Sequence, residues 1–474
     1  MVKGRTFSEE KCGDNPMCEQ KMREGFATTV TTVLASAQQY EKPAGPMIAG
    51  LEIELPLVTP TFDLAPQRKR DALLEKFVGH TSLELAAHQL EIISEPPVDL
   101  IQHGLGALGE QISSTMTTIL REVSAESLQA VRIGCYPLAE IDDVDYTRGD
   151  PRYHKYERCP QWHMARRRQD IPANLGHKEV VCVENAYVVG LLNSVQINID
   201  AQNFRDAIEK LNRSLMISPY AIAISANARY LDCQDTGMCD LRFSAWETSH
   251  DVRSPKEIVA GLPTRIGLPQ RYYYDLEDYF EQIQSYPFIM DDPFSLAKPF
   301  EVGLGLCWRD ARLKFFREKH TVAVEFRPVS LQPSLREDIA MMLFYLGRLV
   351  WSQNTNESLQ PMDIVRKNKQ QAELYGLRGM LWSRRGGTVE QVSARLALEE
   401  ELHRAIDGLK HLGASTDILD NLSHVFEQRL QHGSPAEQFA TVVEDIERNL
   451  PETRRDRRRR ALIGAIQELG LVVP

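Results

Sequence analysis

Four short segments of this chain alternate aliphatic residues with carboxylates, amides and one arginine, and the chemistry open to such a set is the binding of a divalent cation beside a phosphate. In Leu51-Glu52-Ile53-Glu54-Leu55 the period of two puts the three aliphatics on one face and both carboxylates on the other. In SLELAAHQLEII, Leu90 and Ile92 pack opposite Glu91. Glu84 stands seven residues before Glu91, an odd spacing that requires a bend if the two share a site. In Val195-Gln196-Ile197-Asn198-Ile199-Asp200 the aliphatics alternate with three oxygen-bearing side chains, and in Val322-Ala323-Val324-Glu325-Phe326-Arg327 the pair Glu325 and Arg327 shares a face.

Taken singly, each polar face is what a half-solvated antiparallel sheet shows. Solvent-facing strands, however, mix charge signs with Thr, Ser and Lys, whereas these four offer almost only carboxylates and amides. Converging carboxylates raise one another's pKa unless a cation neutralises them. An all-oxygen donor set suits Mg²⁺, or Mn²⁺, far better than zinc. Magnesium on a carboxylate platform beside an arginine is what a nucleoside triphosphate requires. No GxxxxGK[ST] run occurs, so a site for ATP is not a P-loop.

Elements must carry these residues, and the chain is long enough for about three structural units. Its 474 residues are 43% hydrophobic and 26% charged, the composition of a globular protein. A formal net charge of −11 argues against nucleic acid and anionic membrane as partners. The most apolar stretch, 339–351, is interrupted by Gly347 and Arg348 and reads as a buried helix. No apolar signal-peptide core is found near the N-terminus, so the expected location is cytoplasmic. Eight cysteines are too sparse for a disulfide scaffold, and the pairs Cys12/Cys18 and Cys233/Cys239 lack zinc-site spacing.

The expected organisation is a helical segment over 1–46, a sheet-bearing unit over 47–355 with a helix at Phe204 to Leu215, and a mainly helical region over 356–474. Thr388 with Gln391, and Ser434 with Pro435 and Glu437, are expected helix starts, and strands are expected to stop near Asn354. The fold class is α+β, a large antiparallel sheet with flanking helices. The arginine run 454–460 reads as a solvated helix face, and the run 166–168 lies within the unit that carries the chemistry.

At these residues the sequence resembles the glutamate-cysteine ligase family of the second type, carboxylate-amine ligases with the curved antiparallel sheet of glutamine synthetase and the guanidino kinases. GLEIELPLVTP is similar to the family's opening strand, HQLEIISEPP to its second acidic strand, RIGCYPL to the Gly-x-x-Pro segment, Arg152-Tyr153 to an Arg-Tyr pair and NSVQINID to the third strand. ISPYAIAISANARYLDCQDTGMCDLRFSAWE, VEFRPVSLQP and NKQQAELYGLRG follow in the family's order. The resemblance implies that Glu52, Glu54, Glu84, Glu91, Gln196 and Glu325 bind metal and that Arg327 contacts the transferred phosphate. It also implies that Arg152, Tyr153 and Arg242 hold substrate carboxylate or phosphate. Trp246 is a candidate wall of the acceptor pocket. Gln196 stands where many members have histidine, Ala86 and Ala87 replace polar residues, and Ser330 replaces a frequent Asp.

The implied reaction is ATP-dependent: the side-chain carboxylate of glutamate is phosphorylated, with Glu325 and Arg327 at the reacting centre, and the acyl phosphate is captured by an amine, cysteine being the family's best-known case. The expected partners are therefore small molecules, namely ATP, glutamate and an amine, and a homodimer is left open. A ligase with another acceptor in specialised metabolism, a guanidino kinase and a non-catalytic homologue are the rival readings.

Overall fold

The computed structural model describes residues 16–43, 45–149, 174–175, 178–179, 181–182, 186–251, 253, 255–286, 288, 296–385, 388–451 and 454–473. The alternating segments become the central strands. β1 (Ile48–Val58), β2 (Thr81–Leu83), β3 (Gln89–Ile93), β4 (Val98–Asp99), β5 (Gln129–Val131), β6 (Ser194–Asp200), β7 (Ala311–Phe316), β8 (Thr321–Ser330) and a strand near the C-terminus form one nine-stranded sheet. Its main path is β7-β8-β6-β1-β3-β2, antiparallel at every pairing and curled into a half-barrel. The family-type antiparallel α+β architecture is thus the observed one.

Period-two alternation gives this sheet two unlike faces. Leu51, Ile53, Leu55, Leu90, Ile92, Val195, Ile197, Ile199, Val324 and Phe326 are all buried on the core side. Helices α1 (Pro16–Ala35), α2 (Gly106–Ala125), α3 (Phe204–Ser225), α4 (Arg242–His250), α5 (Leu335–Asn354) and α6 (Met362–Tyr375) accompany it. α3 begins at Asn203, whose side chain accepts from the Asp206 amide, and it runs past the expected Leu215 to Ser225. It packs on β8, α5 and α6. The apolar stretch at 339–351 lies within α5 as expected, and the Phe326 ring of β8 stacks on Tyr345 at 3.9 Å and 3°. Arg348, buried in the same helix, is paired with Glu401 and, at 2.8 Å, with Glu357.

Two expectations are corrected. Strands do not stop at Asn354: β9 (Met380–Arg385) and β10 (Thr388–Ser393) form a hairpin, and β11 (Val472–Val473) returns to pair with β5. Thr388 therefore opens a strand, not a helix. Its polar neighbours satisfy period two as well as they satisfy a cap, and Ser393 caps the following α7 (Ala394–His411) by accepting from the Leu396 amide. α8 (Thr416–His432) follows, then α9 (Pro435–Arg448), which starts at Ser434 with the expected Ser434/Glu437 capping box.

The basic run enters α10 (Arg454–Glu468), where Arg458 pairs with Glu447 at 2.8 Å and Arg459 donates to the Leu138 carbonyl at 2.7 Å. It is thus partly spent on packing. Arg166 to Arg168, Cys12 and the side chain of Cys18 lie outside the described residues. Cys135, Cys233, Cys239 and Cys307 are not in disulfides. Among the described residues, no helix is long and apolar enough to cross a membrane.

Candidate active site

The polar face of the sheet lines a cavity of about 520 Å³. Register decides who meets whom. Glu54 of β1 is paired with Glu91 of β3, and Glu91 in turn with Ser82 of β2, so the chain leaving β2 brings Glu84 back to the same place. One oxygen from each of Glu54, Glu84 and Glu91 lies within 4.8 Å of the others. The bend that the odd spacing required is the β2 to β3 connection.

Glu54 is fixed by its neighbours. Its Oε2 accepts from the Ser194 amide at 2.6 Å and from Ser194 Oγ at 2.9 Å, while Gln196 Nε2 donates to Oε1 at 2.8 Å. Burial and the nearby Glu84 carboxylate still push its pKa up to about 8, against the lowering effect of Ser194 and Arg327. Burial, followed by the charges of Glu52, Glu84 and Glu54, also holds Glu91 well above the ordinary carboxylate range. Glu54 and Glu91 are thus held beside other carboxylates in a buried setting that disfavours their charge.

The remaining predicted carboxylates stand in a different environment. Glu52 accepts from Lys314 Nζ at 2.6 Å and from Asn198 Nδ2 at 2.9 Å. Glu325, fully buried, also meets Lys314 Nζ at 2.6 Å, is paired with Arg312 and has Arg327 Nε at 3.8 Å. Burial alone would raise the Glu325 pKa, but Arg312, Lys314 and Arg327 pull it far below the usual range. Arg312 and Lys314 come from β7, where alternation in ARLKFF buries Ala311 and Leu313 and turns both cations to the polar face.

Arg327 sits at a bulge, where the pairing of β8 with β6 shifts between Phe326 and Val329. On its other edge β8 keeps the β7 register, the Arg327 backbone N–H donating to the Asp310 carbonyl at 2.9 Å. Arg327 Nη1 is buried without a hydrogen-bond partner among the described residues. Arg242 braces this bulge from α4, donating to the Pro328 carbonyl at 2.6 Å and the Val329 carbonyl at 3.3 Å while pairing with Asp240 at 3.0 Å. Its guanidinium lines the cavity with its donors engaged on protein atoms. Trp246 lines the cavity as well, 5.0 Å from the ring of Trp308 and 4.5 Å from that of His250. Arg152 and Tyr153 lie outside the described residues.

Sequence reasoning passed over Arg312, Lys314, Trp308, Asp310 and Lys369, all of which line the same cavity. The β7 pair was readable from the alternation of ARLKFF. Lys369 of α6 is buried, with Asp310 at 2.8 Å and Glu373 at 3.6 Å, and only tertiary packing brings it here. Gly134 of RIGCYPL supports the bulge region from behind: a Cβ there would fall 1.9 Å from Ser330 Oγ and 2.9 Å from the Asn227 carbonyl oxygen. A second cavity of about 400 Å³ adjoins the first, shares Glu52, Ile93 and Lys314 with it, and is lined in part by Ile48, Leu51 and Phe316.

Solved structures of similar fold include glutamate-cysteine ligase from Francisella tularensis in complex with AMP, at a TM-score of 0.50 and 13% identity over 91% of this chain and 90% of that one. A bifunctional glutathione synthetase from Pasteurella multocida is matched at a TM-score of 0.47 and 12% identity, over 93% of this chain and 54% of that one. No curated protein matches by sequence. The model of glutamate-cysteine ligase family 2 matches residues 48–457, which takes in every strand and carboxylate of the site. The chain belongs to the glutamate-cysteine ligase family 2.

Proposed function

We propose that this protein is an ATP-dependent carboxylate-amine ligase that joins glutamate through its γ-carboxyl group to the amine of cysteine, the first step in making a thiol tripeptide such as glutathione. The observation that carries the reading is the Glu54, Glu84 and Glu91 triad beside the unpartnered Nη1 of Arg327. The donor set is all oxygen and its carboxylates lie within 4.8 Å of one another, which fits Mg²⁺ or Mn²⁺ held by these three residues next to Gln196. When bound, such an ion neutralises the carboxylates and draws charge from phosphate oxygens.

The two cavities meet at Glu52 and Lys314, which supports a nucleoside on the Ile48 and Phe316 side and its phosphates running past Lys314 toward Arg327. The glutamate γ-carboxylate attacks the γ-phosphorus of ATP, the bond to the bridging oxygen breaks, and ADP leaves. Arg327 is aimed at the charge that accumulates on the transferring group. The amine then attacks the acyl carbon and expels phosphate. The walls at Trp246 and Trp308 keep water from the acyl phosphate, whose hydrolysis would waste the nucleotide.

A second reading keeps the chemistry and changes the acceptor. Trp246 and Trp308 line the cavity with their rings 5.0 Å apart, an aromatic wall larger than a thiol side chain needs, which favours a larger amine. Phosphate release with ATP, magnesium and glutamate, with the amine varied across the amino acids and products identified by mass, separates the two. A γ-glutamylcysteine product supports the first and another γ-glutamyl amide the second. No release with any pair would overturn both.

A further inference from the structure

The polar face carries two carboxylate groups whose charge is balanced in different ways. At Glu54, Glu84 and Glu91 the acids lie close together. At Glu52 and Glu325 the acids come from β1 and β8, which β6 separates in the sheet, and one ammonium bridges them: Lys314 Nζ is 2.6 Å from Glu52 Oε1 and 2.6 Å from Glu325 Oε1. From the strand between, the Asn198 amide meets the same Glu52 oxygen at 2.9 Å. Two carboxylates converging on one point make an oxygen site of the kind that holds a divalent ion, whose ligand distances are about 2.0–2.2 Å. An ammonium nitrogen between the same oxygens fills that volume. With Arg312 also paired to Glu325 and Arg327 Nε at 3.8 Å, protein cations already match both carboxylates without any added ion.

Resting on the reading of the Glu54 triad as the metal site, we propose that Lys314 takes the place of a second divalent cation on this sheet. Its ammonium is a tethered cation that holds Glu52 and Glu325 in position and presents positive charge where the two cavities join. In the absence of nucleotide the protein therefore takes up a single ion, at the triad. Lysine can serve here because its charge sits at the end of a flexible stem and carries three donors, so it can engage two carboxylates from different strands and leave a donor for a phosphate oxygen.

The test is a Mn²⁺ titration of the full-length protein without nucleotide, free Mn²⁺ being read by electron paramagnetic resonance, on wild type, Lys314→Met, Glu52→Gln and Glu91→Gln. The expected result is a single ion on wild type, lost in Glu91→Gln, kept in Glu52→Gln, and joined by a second in Lys314→Met. The same ion count in Lys314→Met as in wild type, or loss of the wild-type ion in Glu52→Gln, would overturn the proposal. No ion on wild type and one on Lys314→Met would uphold the role of Lys314 and remove the triad as the metal site. Should Lys314→Met fail to fold, the half-buried Glu52 supplies the deciding arm, since loss of the ion in Glu52→Gln would place a divalent cation where Lys314 is proposed to stand.

Discussion

Glu54 and Glu91 stand directly opposite each other across the β1 to β3 ladder, so the register of the sheet itself forces two carboxylates together. Like charges directly opposite are destabilising, and both groups here are buried. Nothing in folding calls for this pairing, whereas a bound cation does. Glu91→Gln should lower turnover by about 10²–10³-fold, the size of losing one electrostatic contact to the reacting group. Its metal-free melting temperature should stay level or rise, since a repulsion has been removed. Differential scanning fluorimetry without metal checks this, and a drop of several degrees would show that Glu91 is mainly a structural acceptor.

The same crowding makes stability depend on pH. The Glu54 pKa is raised in the folded protein to about 8 from an ordinary 4.5, so the folded state holds a proton that the unfolded chain has released. The stabilisation from that proton is full below about 4.5 and is lost as pH rises through about 8. The metal-free melting temperature should therefore fall between pH 6 and pH 9. Because ligands must be deprotonated to bind, added Mn²⁺ should raise it more at pH 9 than at pH 6. An equal Mn²⁺ shift at both values would mean that the triad does not bind the ion.

Arg327 should act on the chemical step. Among the described residues its Nη1 has no hydrogen-bond partner, and its Nε lies 3.8 Å from Glu325. Arg327→Ala is expected to cut kcat by about 10³-fold or more, with a much smaller change in KM for ATP. Arg242→Ala provides the contrast. Because Arg242 braces the bulge at Pro328 and Val329, its loss should lower the melting temperature as well as activity. Equal thermal effects in both variants would contradict this division of roles.

How much of this was legible in the sequence followed the physics of each element. Period-two alternation in LEIEL, HQLEII, VQINI and VAVEF placed the acids on one face, because one face of each strand had to be buried. Ser434 and Glu437 announced a helix through side-chain caps that act locally. Thr388 misled because a polar residue three before a glutamine suits a cap and an exposed strand equally, and the partner that decides, Arg385 on β9, is not local in pattern. The division of the acids into two groups was not legible at all. It depends on Lys314, brought to Glu52 from 262 residues away by the path of the sheet.

The last prediction concerns the helices behind the site. Gly347 of α5 and Gly408 of α7 let two backbones touch: a Cβ on Gly408 would fall 1.9 Å from the Gly347 carbonyl oxygen, and one on Gly347 2.1 Å from the Ala405 carbonyl oxygen. These neighbours are backbone atoms and cannot turn aside as a side chain would. Gly408→Ala must push the helices apart, at a cost of roughly 1–3 kcal/mol or more. Arg348 and Glu401 bridge the same two helices, so their buried pair is strained with them. α5 in turn supports β8 through the Tyr345 and Phe326 stack, one residue from Glu325 and Arg327. Gly408→Ala should thus melt several degrees lower and lose kcat ahead of global unfolding. Activity that stays at the wild-type level until the unfolding transition would show that β8 keeps its position without α5 and α7 behind it.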